Sequence, residues 1–256
     1  MLNTISITLN KKSYLATINY MEERKIFVGK SLRVFVSYSI DDRFLAHGVK
    51  VGLGDFGIDV FLAHDDIPGG AEWEETIVKN IKQTDVFIQL LTKNYRKSEW
   101  TDQETGIALS GQKMIIPLKV DINPYGFTKK YQAFRLVYKE IKHGDKMIFW
   151  CRDSCLEIVK LILENVDLNE QLKDCLIRSF TKSTSFQDTR EKSELLIKFD
   201  NFTKEQLDEI IRSSIDNRQI YQSTGITRTF LNNLMEKYNL ILGEETIEKL
   251  NDLFKS

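Results

Sequence analysis

The sequence predicts an α/β protein built on a parallel sheet, with a smaller all-helical region after it. Three observations carry this. Short apolar bursts recur from residue 33, amphipathic segments separate them, and after about residue 167 only helical spacing continues.

The bursts are RVFVSYS (33–39), IDVFLA (58–63), DVFIQLL (85–91) and MIIPLKV (114–120). Each is rich in Val, Ile and Phe and nearly continuous, as strands covered on both faces are. The intervening segments, DDRFLAHGVKVGLGDF (41–56), EWEETIVKNIKQ (72–83) and EWTDQETGIALSG (99–111), read as helices. Repeated strand–helix alternation places helices on both sides of a parallel sheet. Ligands of such sheets bind beyond the carboxyl ends of the strands. The segments following residues 39, 63 and 91 are therefore where a site is expected.

From residue 121 a turn around Pro124 and Gly126 leads into a segment with helical character, then KMIFW (146–150) reads as a last strand. DSCLEIVKLILENV (153–166) reads as a last helix with Asp153 as N-cap. Segments 168–180, 203–216, 226–239 and 244–255 have helical spacing, and Thr203 followed by Gln206 forms a capping-box pattern. The polar stretch TKSTSFQDTREKS (181–193) reads as a linker or exposed loop. The expected organisation is an N-terminal arm or hairpin (1–30), an α/β domain (31–166) and a helical C-terminal domain (167–256).

Composition excludes several classes. The 256 residues carry a formal net charge of −1, so no global field draws nucleic acid or an anionic membrane. STGITRTFLNNLMEKYN has the look of half a helix-turn-helix, but residues 203–240 hold five basic and five acidic side chains, which is not the charge of a DNA-binding module. No apolar run reaches the ~18 residues of a membrane span. The first residues lack the pattern of a secretory signal, so the expected location is cytoplasmic. Cys151, Cys155 and Cys175 are too few and too bunched for a disulfide framework and read as buried thiols. With His143 the first two lack a fourth ligand, so no metal is expected. His47 and His64 read as residues of a helix and a loop without a catalytic partner.

Three features bear on chemistry. On the helix over 99–111, Trp100, Glu104, Ile107 and Ala108 share one face. A carboxylate on that stripe either sits at its edge or pairs with a lysine, or else is buried with its pKa raised. In HDDIPGGAEWEETI (64–77), Pro68, Gly69 and Gly70 precede a helix with an acidic first turn. This is an ordinary loop, or a place where backbone N–H groups approach a phosphate. In VFVSYSIDD (34–42), Ser37, Tyr38 and Ser39 close a strand and either cap the next helix or touch a ligand.

In order and spacing these features resemble the Toll/interleukin-1 receptor (TIR) domain: a strand ending VFVSYS, a second strand followed by D-D-I-P-G-G, and W-x-x-x-E after the third. The resemblance runs from about residue 33 to 120 and on toward 165. It implies a flavodoxin-like sheet of five parallel strands. Some TIR domains hydrolyse or cyclise NAD and others are adaptors. The resemblance to the NAD-cleaving type implies that Glu104 is the essential carboxylate and that Trp100 lines the nicotinamide side. Nucleotide contacts are implied for Tyr38, Ser39 and Ile40, and for Asp66, Ile67, Pro68, Gly69 and Gly70. NAD would be the substrate rather than a cofactor, and the role an antiphage immune effector of bacterial type. Homo-oligomers through TIR–TIR contacts are implied too, with 64–77 as an interface element and Trp73 its anchor. The sequence departs from some members in having Ser39 and Ile40 where they carry arginines. The rival expectation is a non-enzymatic adaptor of the same fold.

Overall fold

The computed structural model of the chain describes residues 29–67, 73–144 and 146–255. The expected N-terminal arm (1–30) lies almost wholly outside them, as do Pro68, Gly69 and Gly70.

Five parallel strands form the central sheet in the order β2-β1-β3-β4-β5. They are β1 (Arg33–Ser37), β2 (Asp59–Phe61), β3 (Val86–Leu91), β4 (Met114–Lys119) and β5 (Phe134–Arg135). The helices between them are α1 (Arg43–Gly54), a single turn α2 (Ala63–Asp66), α3 (Trp73–Gln83) and α4 (Thr101–Ser110). Alternation along β1 and β3 builds two cores. Val34, Val36, Val86, Ile88 and Leu90 enter one apolar cluster, while Phe35 and Phe87 enter another with Ile77, Ile81, Ala108 and Ile115. Phe35 and Phe87 are register partners and stack with ring centroids 5.5 Å apart.

The stretch 121–150 departs from expectation. The segment read as helical holds a 3-10 turn (Gly126–Lys130), the two-residue edge strand β5 and strand β6 (Lys139–His143). Strand β7 (Lys146–Trp150) is present, but it pairs antiparallel with β6 in a separate hairpin and does not extend the main sheet. A short apolar-polar run cannot by periodicity alone be assigned to strand or helix. The hairpin packs on α1 through β7, whose Phe149 carbonyl lies against Gly48 so closely that a Cβ there has no room.

The helical region comprises α5 (Arg152–Leu163), α6 (Asn169–Phe180), α7 (Phe186–Leu196), α8 (Lys204–Asp216), α9 (Arg218–Tyr221), α10 (Ile226–Lys237), α11 (Asn239–Leu242) and α12 (Glu244–Lys255). Asp153 does not cap α5; Cys151 occupies the N-cap position without a side-chain bond. The capping box at Thr203 and Gln206 is formed in full. Residues 186–193, read as loop or linker, belong to α7, capped by Ser185, and bury Asp188, Thr189, Lys192 and Ser193. The hydroxyls of Thr189 and Ser193 donate to the carbonyls of Ser185 and Thr189, and the charged side chains are matched by ion pairs. Arg152 of α5 bonds Asp55 at the end of α1 (2.7 Å), Asp188 (2.7 Å) and Glu191 (2.8 Å), and Lys192 bonds Asp188 (2.8 Å). One apolar cluster runs from Leu32 and Val34 through Ile158 and Leu176 to Phe230, so sheet and helical region share a core.

All three cysteines are free and buried, and burial pushes the Cys151 thiol up to about 12. No cluster of metal-ligating side chains exists among the described residues. No helix among them is long and apolar enough to cross a membrane.

Candidate functional site

Phe35 and Ser37 are two apart on β1, as Phe87 and Gln89 are on β3, and Ser37 is the register partner of Gln89. Side chains two apart share a face. The face that stacks two phenylalanines therefore ends, at the carboxyl edge of the sheet, in a hydroxyl and an amide. Helix α4 lies over this edge with Glu104 and Thr105 buried. The Ser37 hydroxyl donates to Glu104 Oε2 at 2.5 Å. Tyr95, fully buried, sets its hydroxyl 3.1 Å from Ser37 Oγ and 3.2 Å from Thr105 Oγ1. Gln89 Nε2 donates to Thr105 Oγ1 at 2.9 Å and to the Tyr95 hydroxyl at 3.4 Å.

Glu104 is only 6% exposed. No lysine, arginine or histidine pairs with it among the described residues, so the structure does not tie this carboxyl to a lysine. Burial pushes its pKa up to about 7, with the Ser37 bond opposing the rise. Burial likewise raises the Tyr95 phenol above its ordinary range, which keeps the ring hydroxyl protonated.

Glu104 borders a narrow hollow lined by Tyr38, Trp73, Ser98 and Trp100, with Val36, Ala63 and Ile77 completing it. Its volume is about 20 Å³, enough for a single water molecule and not for a nucleotide. Trp100 stands at the N-terminus of α4, 36% exposed, and its carbonyl accepts from the Glu104 N–H at 2.9 Å. Trp73 is half-buried and packs against the cluster of Phe35 and Phe87.

Of the other residues singled out by sequence, Tyr38 is buried and lines the hollow. Ser39 is buried and precedes a 3-10 turn (Ile40–Asp42) without capping it by its side chain, whereas Ile40 is exposed. Ile67 packs into the cluster of Phe35 and Phe87. Asp66 does not border the hollow. Lys50 bonds both its oxygens (2.5 and 2.7 Å), and it accepts from the Leu62 N–H at 2.7 Å. His47 lies on α1 with Nδ1 3.6 Å from an Asp65 oxygen at the surface.

Gln89, Tyr95 and Thr105 were not singled out by sequence. The one polar residue inside VFIQLL was the available signal for Gln89. The loops around the site are fixed by Asp42, which accepts from Thr92 Oγ1 (2.6 Å) and Asn94 Nδ2 (3.1 Å), and by the Tyr125 hydroxyl bonded to Asp102 (2.7 Å).

A much larger hollow, about 820 Å³, lies elsewhere, where the end of α1, Lys139 and Trp150 meet α6 and α7. Two of its cations, Arg152 and Lys192, are already matched by Asp55, Asp188 and Glu191.

A doubly covered parallel sheet with a buried carboxylate at its carboxyl edge defines the class: an α/β module of the flavodoxin-like kind. Residues 34–147 match the family model of the TIR domain, so the chain carries a TIR domain, and its helices from α5 onward lie beyond the match. Solved structures are also similar. One is the crystal structure of the TIR domain of the Toll-related Receptor TRR-2 from the lower metazoan Hydra magnipapillata (21% identity, TM-score 0.36, covering 40% of this chain and 82% of that one). No curated protein matches the chain.

Proposed function

We propose that this TIR domain cleaves NAD and that Glu104 is the catalytic carboxylate. The observation that carries the reading is a buried glutamate at the carboxyl edge of the sheet, oriented by one serine hydroxyl and paired with no cation among the described residues. A scaffold glutamate buried without a cation costs stability, and a site that must place bare negative charge beside a substrate requires that arrangement.

The chemistry needs little else. The nicotinamide of NAD is a cationic leaving group, so its C1′–N bond breaks with the electron pair passing to the ring nitrogen and no acid is required. The ribose left behind carries oxocarbenium character, which a nearby carboxylate stabilises. Water then adds at C1′ and loses a proton to give ADP-ribose, or the substrate's own adenine adds and gives a cyclic product. Trp100 holds the pyridinium ring by stacking and cation–π attraction, worth ~0.5–2 kcal/mol. Tyr38 lies along the nucleotide.

The hollow beside Glu104 takes one water, so substrate enters only when Trp73 and Trp100 move apart. We assign that opening to self-assembly, in a cytoplasmic protein of bacterial-type antiphage immunity. The narrowness of the hollow is also the observation that favours a second reading, in which the domain is an adaptor acting through TIR–TIR association alone. One assay separates the two: incubation with NAD over a range of protein concentrations and chromatography of the products. The enzyme releases nicotinamide from wild type and none from Glu104→Gln. Intact NAD at every concentration, in a protein shown to self-associate, leaves the adaptor.

A further inference from the structure

We infer that strand β6 is a docking edge for a second copy of this chain, joined antiparallel about a two-fold axis through Ile141. The inference concerns assembly and stands whether or not Glu104 acts on NAD.

The hairpin of β6 and β7 is a two-stranded sheet apart from the main one. Strand β7 leans on α1, while among the described residues β6 makes its main contacts with β7. Residues 139–142 of β6 are all exposed. Such an edge offers N–H and C=O groups to another strand, and many proteins shorten, twist, cover or charge it to avoid pairing. Here the charges do something else.

Lys139 to Lys142 reads Lys-Glu-Ile-Lys. In an antiparallel pairing of two β6 strands centred on Ile141, Glu140 of each copy faces Lys142 of the other, twice over. Residues 140 and 142, being two apart, also turn their backbone groups the same way, so both can bond across the seam. A two-fold contact requires one patch to be complementary to itself, and this strand meets that condition in charge and in register.

The apolar residues agree. Ile141 is the register partner of Ile148, and Trp150 lies on the same face opposite Lys139. These three are 46%, 45% and 41% exposed. Pairing on Ile141 sets the isoleucines of both hairpins side by side, Ile148–Ile141 against Ile141–Ile148, on one continuous four-stranded sheet.

The test is sedimentation velocity or light scattering of the full chain across a concentration series. Wild type is expected to form a concentration-dependent dimer. Glu140→Lys sets like charges opposite each other at both contacts and is expected to weaken the dimer by roughly tenfold or more. Lys142→Glu is expected to do the same. An equimolar mixture of the two single variants restores opposite charges at both contacts and is expected to recover dimer, as is the double reversal Glu140→Lys/Lys142→Glu. All these positions are exposed, so thermal unfolding should not change. A wild type that is monomeric throughout overturns the inference, and so does a dimer indifferent to the single reversals or not recovered by the mixture.

Discussion

Ser37 at the end of β1 donates its hydroxyl hydrogen to Glu104 in the first turn of α4, 2.5 Å away, across a sequence distance of 67 residues. This is the described bond that holds the carboxylate, and it joins the strand whose edge forms the site to the helix that delivers the charge. The carboxyl is consequently oriented but not neutralised.

A first prediction follows from the proton on Glu104. Its folded pKa, about 7, lies above the ordinary 4.5, so the native state binds the proton more tightly than the unfolded chain does. Stability from this group is full below about pH 4.5, is lost as pH rises toward 7, and stays lost above it. The loss is on the order of 3 kcal/mol. Glu104→Gln, which cannot ionise, should therefore unfold at higher urea than wild type at pH 8 and at the same urea near pH 4. If the proposed chemistry holds, the same variant has no NAD-cleaving activity. A Gln variant less stable than wild type at pH 8 would show that the carboxylate is part of the scaffold.

Removing the hydroxyl tests the pair from the other side. The Ser37 bond favours the charged form, so Ser37→Ala should raise the Glu104 pKa further. If Glu104 cleaves NAD as proposed, cleavage needs the ionised carboxylate, and the acid limb of the kcat/KM profile, expected near pH 7 in wild type, should move to higher pH. Ser37→Thr keeps a hydroxyl and should bring the limb back. A limb that does not move in the alanine variant, with activity merely scaled down, would mean that Ser37 packs without tuning the acid.

The sheet was legible because its first four strands are bursts of apolar residues with three helix-length amphipathic segments between them, a pattern decided locally. The face of α4 was legible for the same reason, since Trp100, Glu104 and Ala108 recur at helical spacing. The network beneath Glu104 was not. That Gln89 faces Ser37 is a fact of strand register, and that Tyr95 reaches both Ser37 and Thr105 depends on the turn after β3 folding back; neither is carried by composition. Helix α7 was misread because Gln187, Asp188, Arg190, Glu191 and Lys192 look like a solvated loop. Its buried charges are satisfied by Arg152, a residue 36 positions before Asp188, and sequence patterns are blind to such partners. Residues 134–143 failed for a different reason: strands of two to five residues are too short for periodicity to separate them from helix.

The seam between α1 and the helical region depends on missing side chains. A Cβ on Gly52 would stand 2.6 Å from Cys155 Sγ on α5, whereas one on Gly54, two residues on, meets nothing within 4 Å. Gly52→Ala should cost about 1–3 kcal/mol in urea unfolding, because the helices must part to admit a methyl group. Gly54→Ala should be neutral or stabilising by up to about 1 kcal/mol, since alanine suits a helix better than glycine. Equal effects at the two positions would mean that helix propensity, not interhelical packing, governs this face.

Arg152 joins the TIR sheet layer to the helical region. It bonds Asp55 of the TIR portion with one guanidinium nitrogen and Asp188 and Glu191 of α7 with the others, with a side chain only 12% exposed. Its plane also lies over the Phe56 ring, 5.1 Å from the centroid. Arg152→Met keeps much of the stem and deletes the charge, leaving three carboxylates facing one another with Lys192 as the remaining close cation. Breaking a buried ion pair from one side costs about 3–5 kcal/mol, and the partial exposure of Asp55 places the expectation at the lower end, roughly 3 kcal/mol. Burial alone would raise the Asp188 pKa, but Lys192 and Arg152 outweigh it and hold the pKa below its ordinary value. That makes a contribution present at neutral pH and lost as pH falls through the folded pKa. Arg152→Met should shrink this acid-side loss, so the variant and wild type converge in stability as pH is lowered toward 3. A stability difference that stays constant from pH 8 to pH 3 would assign the effect to lost packing on Phe56 and not to the charges.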